Sequence, residues 1–97
     1  MRLVLHSKVH SDILKIMEYY ERVATPELAD DFYSELRHFT LNAADRPESF
    51  SVRAHDLRRV NLQRFPCHFL FRVLDDEVRI LVVRHHKRHP SPGTRRS

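Results

Sequence analysis

The sequence predicts an α+β domain with one short strand, two helices and then a three-stranded antiparallel sheet. Apolar residues recur at helical spacing in the first half of the chain, and the spacing changes to strict alternation after residue 57. Short turns separate the alternating runs. Because both helices are amphipathic, we expect them to cover one face of the sheet and to leave the other face partly open.

The first half of the chain contains the strand and the two helices. Residues 2–6 have the pattern of a short strand, and Ser7 is expected to cap a helix over residues 8–23. Thr25 and Pro26 mark the start of a second helix that reaches residue 44, because threonine caps helices and proline suits a first helical turn. The core stripes comprise Val9, Ile13, Ile16, Met17, Tyr20 and Val23 in the first helix and Leu28, Phe32, Leu36, Phe39 and Ala43 in the second.

The second half alternates apolar and polar residues in three runs. The alternation places Arg58 and Arg59 on opposite faces of the first run, and Val82 on the same face as Ile80 in the third. Short connections between the runs predict an antiparallel meander. After a loop over residues 45–56, the runs are residues 57–65, 67–74 and 78–83, with Pro66 ending the first and Asp75 and Asp76 forming a tight turn before the third.

Composition excludes several classes of protein. We assign residues 1–90 to a single domain and residues 91–97 to a basic tail that we expect to be disordered. The only cysteine, Cys67, excludes an internal disulfide framework and a multi-cysteine zinc site, and the only glycine, Gly93, excludes glycine-rich phosphate loops. No apolar run is long enough to cross a membrane, and the amino terminus lacks the pattern of a signal peptide. We therefore expect a cytoplasmic protein without a membrane partner.

Positive charge is concentrated in the second half of the chain. Residues 1–52 hold six Lys/Arg against nine Asp/Glu, a net charge of −3, whereas residues 53–97 hold eleven against four, a net charge of +7. From Arg84 to the carboxyl end there are five Lys/Arg, three histidines and no acidic residue. Such a gradient indicates a partner that is a polyanion, either a nucleic acid or an acidic protein, unless the tail serves only solubility.

Four stretches of this chain resemble the RelE/ParE superfamily, the toxins of bacterial type II toxin–antitoxin systems. Their order, their spacing and the length of the chain make the resemblance specific, although each stretch alone is short. The resemblance spans residues 2–90 and implies a βααβββ fold, a cognate antitoxin and growth arrest. The stretches are residues 7–20 (SKVHSDILKIMEYY), 58–66 (RRVNLQRFP), 69–73 (FLFRV) and 85–90 (HHKRHP).

The superfamily includes two activities, and the sequence leaves both open. RelE-like members cut messenger RNA in the ribosome, and ParE-like members inhibit DNA gyrase. Two positions depart from the superfamily pattern: Cys67 stands where tyrosine often follows Phe-Pro, and His89 stands where aspartate often precedes the last proline. The missing tyrosine hydroxyl and ring cast doubt on any cleavage mechanism that needs them. The paired tyrosines of the first helix and the long second helix are more typical of the ParE-like members.

The residues that would act on RNA are arginines and histidines. Metal-free RNA cleavage needs a general base, a general acid and cations for the charge on the phosphate. Arginine supplies a permanent cation, and imidazole titrates near neutral pH. We therefore predict catalytic roles for Arg58, Arg59, His85 and Arg88, and contacts with nucleic acid or a protein partner for Arg84, His86, Lys87 and His89.

Two other classes of function compete with the toxin. A basic nucleic-acid-binding module would explain the positive half of the chain without any effect on growth, and it would bind bulk RNA or DNA in a salt-sensitive manner. The histidine run at residues 85–89 also offers metal ligands, but Lys87 and Arg88 oppose a bound cation and no carboxylate lies within the run. We therefore expect no metal site and no cofactor.

Overall fold

Two helices pack on one face of a four-stranded sheet in the computed structural model, which describes residues 1–86. The strand order is β1-β4-β3-β2, with β1 parallel to β4 and the other neighbours antiparallel. The α+β order predicted from the sequence is confirmed. The elements are β1 (Arg2–Leu5), α1 (Val9–Val23), α2 (Pro26–Asp45), a 3-10 turn (Pro47–Ser49), β2 (Arg58–Asn61), β3 (Cys67–Leu74) and β4 (Glu77–His85).

The two helix starts differ in how their free backbone N–H groups are bound. The Thr25 hydroxyl accepts a hydrogen bond from the Leu28 amide at 3.0 Å, and Pro26 opens α2, as predicted. The predicted cap at Ser7 is wrong, because α1 begins one residue later with Lys8 at its cap position and without a side-chain cap. There the Lys8 amide donates to Nδ1 of His6 at 3.1 Å.

A β-bulge in β4 changes which residues face the helices. Phe71 pairs with Ile80 and Leu70 pairs with Val82, so that Leu81 is the extra residue. Unbroken alternation predicted Val82 beside Ile80 on one face, and this prediction is wrong beyond the bulge. Val83 packs in the core under the helices, whereas Val82 lies with Leu81 in a small cluster on the opposite face, which we call the open face.

The predicted first strand of the meander is shorter in the structure, where it covers Arg58–Asn61 instead of residues 57–65. After Asn61 the chain turns and returns through Pro66, and the Leu62 amide donates to the Cys67 carbonyl at 2.9 Å. The Arg64 amide donates to both carboxylate oxygens of Glu35 on α2 at 3.0 Å. These bonds replace strand pairing along this connection. The two-residue turn at Asp75 and Asp76 is as predicted.

A buried carboxylate joins α1 to the sheet where β1 ends. Pairing between β1 and β4 stops at Leu5 and Ile80, so within residues 1–86 no strand pairs with β4 on that side beyond this point. Asp12, which is 6% exposed, fills this position: its Oδ2 accepts a buried hydrogen bond from the Val83 amide at 3.0 Å. Asp12 therefore accepts a hydrogen bond from a backbone N–H that has no partner in a neighbouring strand of the described sheet.

We expect Asp12→Ala to destabilise the fold by about 2 kcal/mol, because it leaves the buried Val83 N–H without its acceptor. Asp12→Asn is the matched control, since the amide oxygen can still accept that bond. Urea unfolding followed by circular dichroism measures both free energies. Equal losses in the two variants would contradict the role assigned to the hydrogen bond.

Candidate binding face of the sheet

The predicted site residues are divided between the two faces of the sheet. Arg59 and Arg84 lie on the open face, whereas Arg58 and His85 lie on the face covered by the helices. The bulge contributes to this division, because it moves Arg84 and His86 to the open face and His85 to the helix face. The other three predicted site residues, Lys87, Arg88 and His89, lie outside the described residues, as does the tail at residues 91–97.

Arg58 holds the loop that precedes its own strand. Its Nη1 donates to the carbonyl oxygens of Pro47 at 2.8 Å and Phe50 at 3.1 Å, in a partly buried position. Hydrogen bonds from a guanidinium to buried carbonyls fix a local chain path. The position of Arg58 therefore favours a structural role, and its predicted catalytic role stays a prediction.

His85 is buried beside the two tyrosines that end α1. It is 3% exposed, and its ring centroid lies 5.3 Å from that of Tyr19 and 5.8 Å from that of Tyr20. Aromatic packing of this kind anchors the end of β4 against the helix. A group that acts on a large substrate must reach it, so this burial does not favour the catalytic role predicted for His85.

The open face carries a cluster of basic and polar side chains, formed by Arg59, Asn61, His68, Arg84 and His86, which we call the basic cleft. Asn61, His68 and Arg84 are direct cross-strand partners on three adjacent strands. The Nε of Arg59 donates to Oδ1 of Asn61 at 3.0 Å, and the rings of His68 and His86 lie 5.0 Å apart. The cleft is an open depression of about 400 Å³, and none of the residues within the described range 1–86 that line it has a carboxylate.

His68 is the most constrained member of the basic cleft. It is 5% exposed, and no group within residues 1–86 forms a hydrogen bond with its Nδ1. Burial first, and then the charges of Arg59 and Arg84 with a contribution from His86, lower its pKa to about 4. Burial and Arg59 also lower the pKa of His86. Both imidazoles are therefore neutral at pH 7, beside two permanent cations.

Sequence reasoning missed His68 as a site residue, although the signal was present. The alternation in β3 places Cys67 and Phe69 in the core, which puts His68 on the face that carries Arg59. Charge alone predicted a role for Arg84 and His86, but the sequence does not indicate which face of the sheet they occupy, because that depends on the bulge in β4. Clusters such as this one become visible only once strand register is known.

The loop before β2 forms one wall of the open face. His55 and Asp56 both adopt left-handed backbone conformations, with φ of 57° and 62°, and the carbonyl of His55 accepts a hydrogen bond from Nη2 of Arg72 at 3.2 Å. Leu57 follows and packs on the open face at 2% exposure. This wall gives the basic cleft a concave shape beside an apolar cluster.

Cys67 lies on the opposite side of β3 and has no access to the basic cleft. It is fully buried and hydrogen-bonded to Tyr20, and burial raises the pKa of its thiol to about 12. A thiol at that pKa carries almost no thiolate at neutral pH, so it is a poor nucleophile. The residue that stands where the superfamily often has tyrosine therefore serves as packing.

Within residues 1–86 no three His, Cys, Asp or Glu side chains lie close enough to hold a metal ion. None of the helices in the same range is long and apolar enough to cross a membrane.

Comparisons with known proteins agree with this fold. A family model described as the ParE toxin of the type II toxin–antitoxin system, parDE, matches residues 3–90. No curated protein matches the chain. Among solved structures, the chromosomal ParDE toxin–antitoxin system from P. aeruginosa contains a chain with a similar fold. The match covers 88% of this chain and 95% of that chain, with 23% sequence identity and a TM-score of 0.79. That likeness shows a shared fold, and the family match shows more: the chain belongs to the ParE toxin family of type II toxin–antitoxin systems.

Proposed function

We propose that this protein arrests growth in the cytoplasm by binding DNA gyrase, and that a cognate antitoxin neutralises it. Membership of the ParE family supports a toxin with an antitoxin partner. ParE-like toxins inhibit gyrase without an RNA-cleaving site, so the proposed activity requires a binding surface rather than a pair of acid and base groups. The basic cleft is the surface that we assign to this contact.

Family membership carries the choice of gyrase over messenger RNA, and the neutral state of the imidazoles on the open face agrees with that choice. A general acid must hold a proton at working pH, and efficient acids and bases have pKa values near that pH. The pKa of His68 is about 4 and that of His86 is lowered, so within residues 1–86 neither histidine of the cleft is protonated at pH 7. Permanent arginine charges beside neutral histidines favour binding over proton transfer.

The test combines growth with two assays of the purified protein. We expect induced expression to stop growth and co-expression of the antitoxin from the neighbouring gene to restore it. We also expect the protein to inhibit supercoiling by gyrase and to leave messenger RNA intact in a translating extract. Messenger cuts without inhibition of gyrase would instead assign the RelE-like activity.

Normal growth at high soluble expression would reject the toxin altogether. Salt-sensitive binding to bulk RNA or DNA in that case would identify a non-toxic nucleic-acid-binding module. The growth assay therefore separates the two classes of function, and the supercoiling assay separates the two targets within the toxin class.

A further inference from the structure

The basic cleft has a feature that inhibition of a protein target does not explain: a buried polar atom that has no hydrogen-bond partner among the described residues 1–86. Buried polar groups in folded proteins are almost always hydrogen-bonded, because an unbonded one loses its hydration without compensation. Nδ1 of His68 has no partner within residues 1–86, and the residue is 95% buried. An unbonded ring nitrogen in a concave, basic site suggests a ligand that completes its bonding.

The surrounding charges define the chemistry of that ligand. Arg59 on β2 and Arg84 on β4 stand on either side of His68 on β3, and Arg53 of the preceding loop also lines the depression. Guanidinium groups are always charged and donate in a fixed fork that fits oxyanions. Because the described residues that line the cleft include several donors and no carboxylate, the cleft attracts an anion.

The direction of the donors distinguishes between anions. A carboxylate accepts its hydrogen bonds close to one plane, whereas the oxygens of a phosphate group point to the corners of a tetrahedron. The residues that line the cleft come from β2, β3, β4 and the loop wall, so donors border the depression on more than one side. We propose that the basic cleft is a binding site for one phosphate group of a nucleic-acid backbone, held by Arg59, Arg84 and His68. The proposal does not depend on gyrase as the target.

Nuclear magnetic resonance of the full chain provides the direct test, with a short oligothymidylate as the probe. We expect the probe to shift the ring resonances of His68 and to raise its pKa, because that pKa is lowered by burial and by the charges of Arg59 and Arg84, and a bound anion offsets those charges. This measurement uses the wild-type protein and needs no variant to fold. Unchanged His68 resonances at saturation would overturn the proposal.

Variants then locate the phosphate. We expect Arg59→Gln and Arg84→Gln each to weaken binding of the oligothymidylate by about tenfold. Each should also reduce the slope of log affinity against log salt concentration by about one, because one fewer counterion is released. Arg79→Gln is the matched control. Arg79 lies on the same face of β4 as Arg84 but about 16 Å from it along the strand, so salt largely screens its charge from the cleft. It should weaken binding less than about twofold. Equal losses in all three variants would indicate a diffuse charge effect and would overturn the proposed site.

Two further probes distinguish the source of the anion. Sulfate should shift the same His68 resonances only at much higher concentration, since it offers one anion without the rest of a nucleic-acid chain. If sulfate binds as tightly as the oligothymidylate, the cleft is a site for a free anion and the nucleic-acid part of the proposal is wrong. If an oligoglutamate peptide of equal charge binds more tightly than the oligothymidylate, the site is one for acidic protein instead.

Discussion

Arg59→Gln combined with Arg84→Gln is expected to relieve growth arrest and to raise the concentration needed to inhibit gyrase by about a hundredfold. Each arginine supplies a charged hydrogen bond of about 1.5–3 kcal/mol, and the loss of two such bonds corresponds to at least that factor in affinity. Neither guanidinium is assigned to the packing of the helices against the sheet. The supercoiling assay, performed with wild-type and variant protein, gives the concentration directly.

The matched control removes the same charge from two exposed arginines elsewhere. Arg2 and Arg46 have side chains that are 67% and 76% exposed, and Glu77, the 13% exposed partner of Arg2, keeps a second ion pair with Arg79. Arg2→Gln with Arg46→Gln is expected to retain full toxicity, because exposed ion pairs contribute little to stability. If the control double variant relieved toxicity as much as the cleft variant, net charge rather than the basic cleft would explain the effect.

The order of elements was predictable because each depends on local pattern. Helical spacing, the Thr25-Pro26 start and the short turns all lie within a few residues of the features they predict. The exact face of each strand residue was predictable only as far as Ile80. The bulge at Leu81 arises from how β4 fits against β3, and a shift of one residue exchanges the two faces.

The bulge in β4 changes the candidate site more than it changes the fold. A sequence read with unbroken alternation places His85 on the open face and Arg84 with the core, which is the reverse of the structure. The role of Arg58 depends on the path of Pro47 and Phe50, eleven and eight residues earlier in the chain. Charge predicted a polyanion-facing surface, but only the register shows which side chains compose it.

Acid is expected to destabilise the protein through His68, by about 3 kcal/mol between pH 6.5 and pH 4. The pKa of this imidazole is lowered to about 4 in the folded protein, against 6.5 for an ordinary histidine, so the unfolded chain binds a proton over this range that the native protein does not. The free energy of unfolding therefore falls as the pH falls, and the contribution of His68 is fully lost below pH 4.

Urea unfolding at pH 7, 6, 5 and 4 measures this loss in wild type and in His68→Gln. The glutamine keeps a polar side chain at the position but takes up no proton, so the variant should lose about 3 kcal/mol less than wild type as the pH falls from 6.5 to 4. The matched control, His10→Gln, removes an exposed imidazole from α1 and should leave the loss in place. A wild-type loss that persists unchanged in His68→Gln would show that another group binds the proton. Burial is the main cause of this lowered pKa, and Arg59 and Arg84 lower it further, so Arg59→Gln should also reduce the loss in part. This result would join the stability of the fold to the charge of the basic cleft.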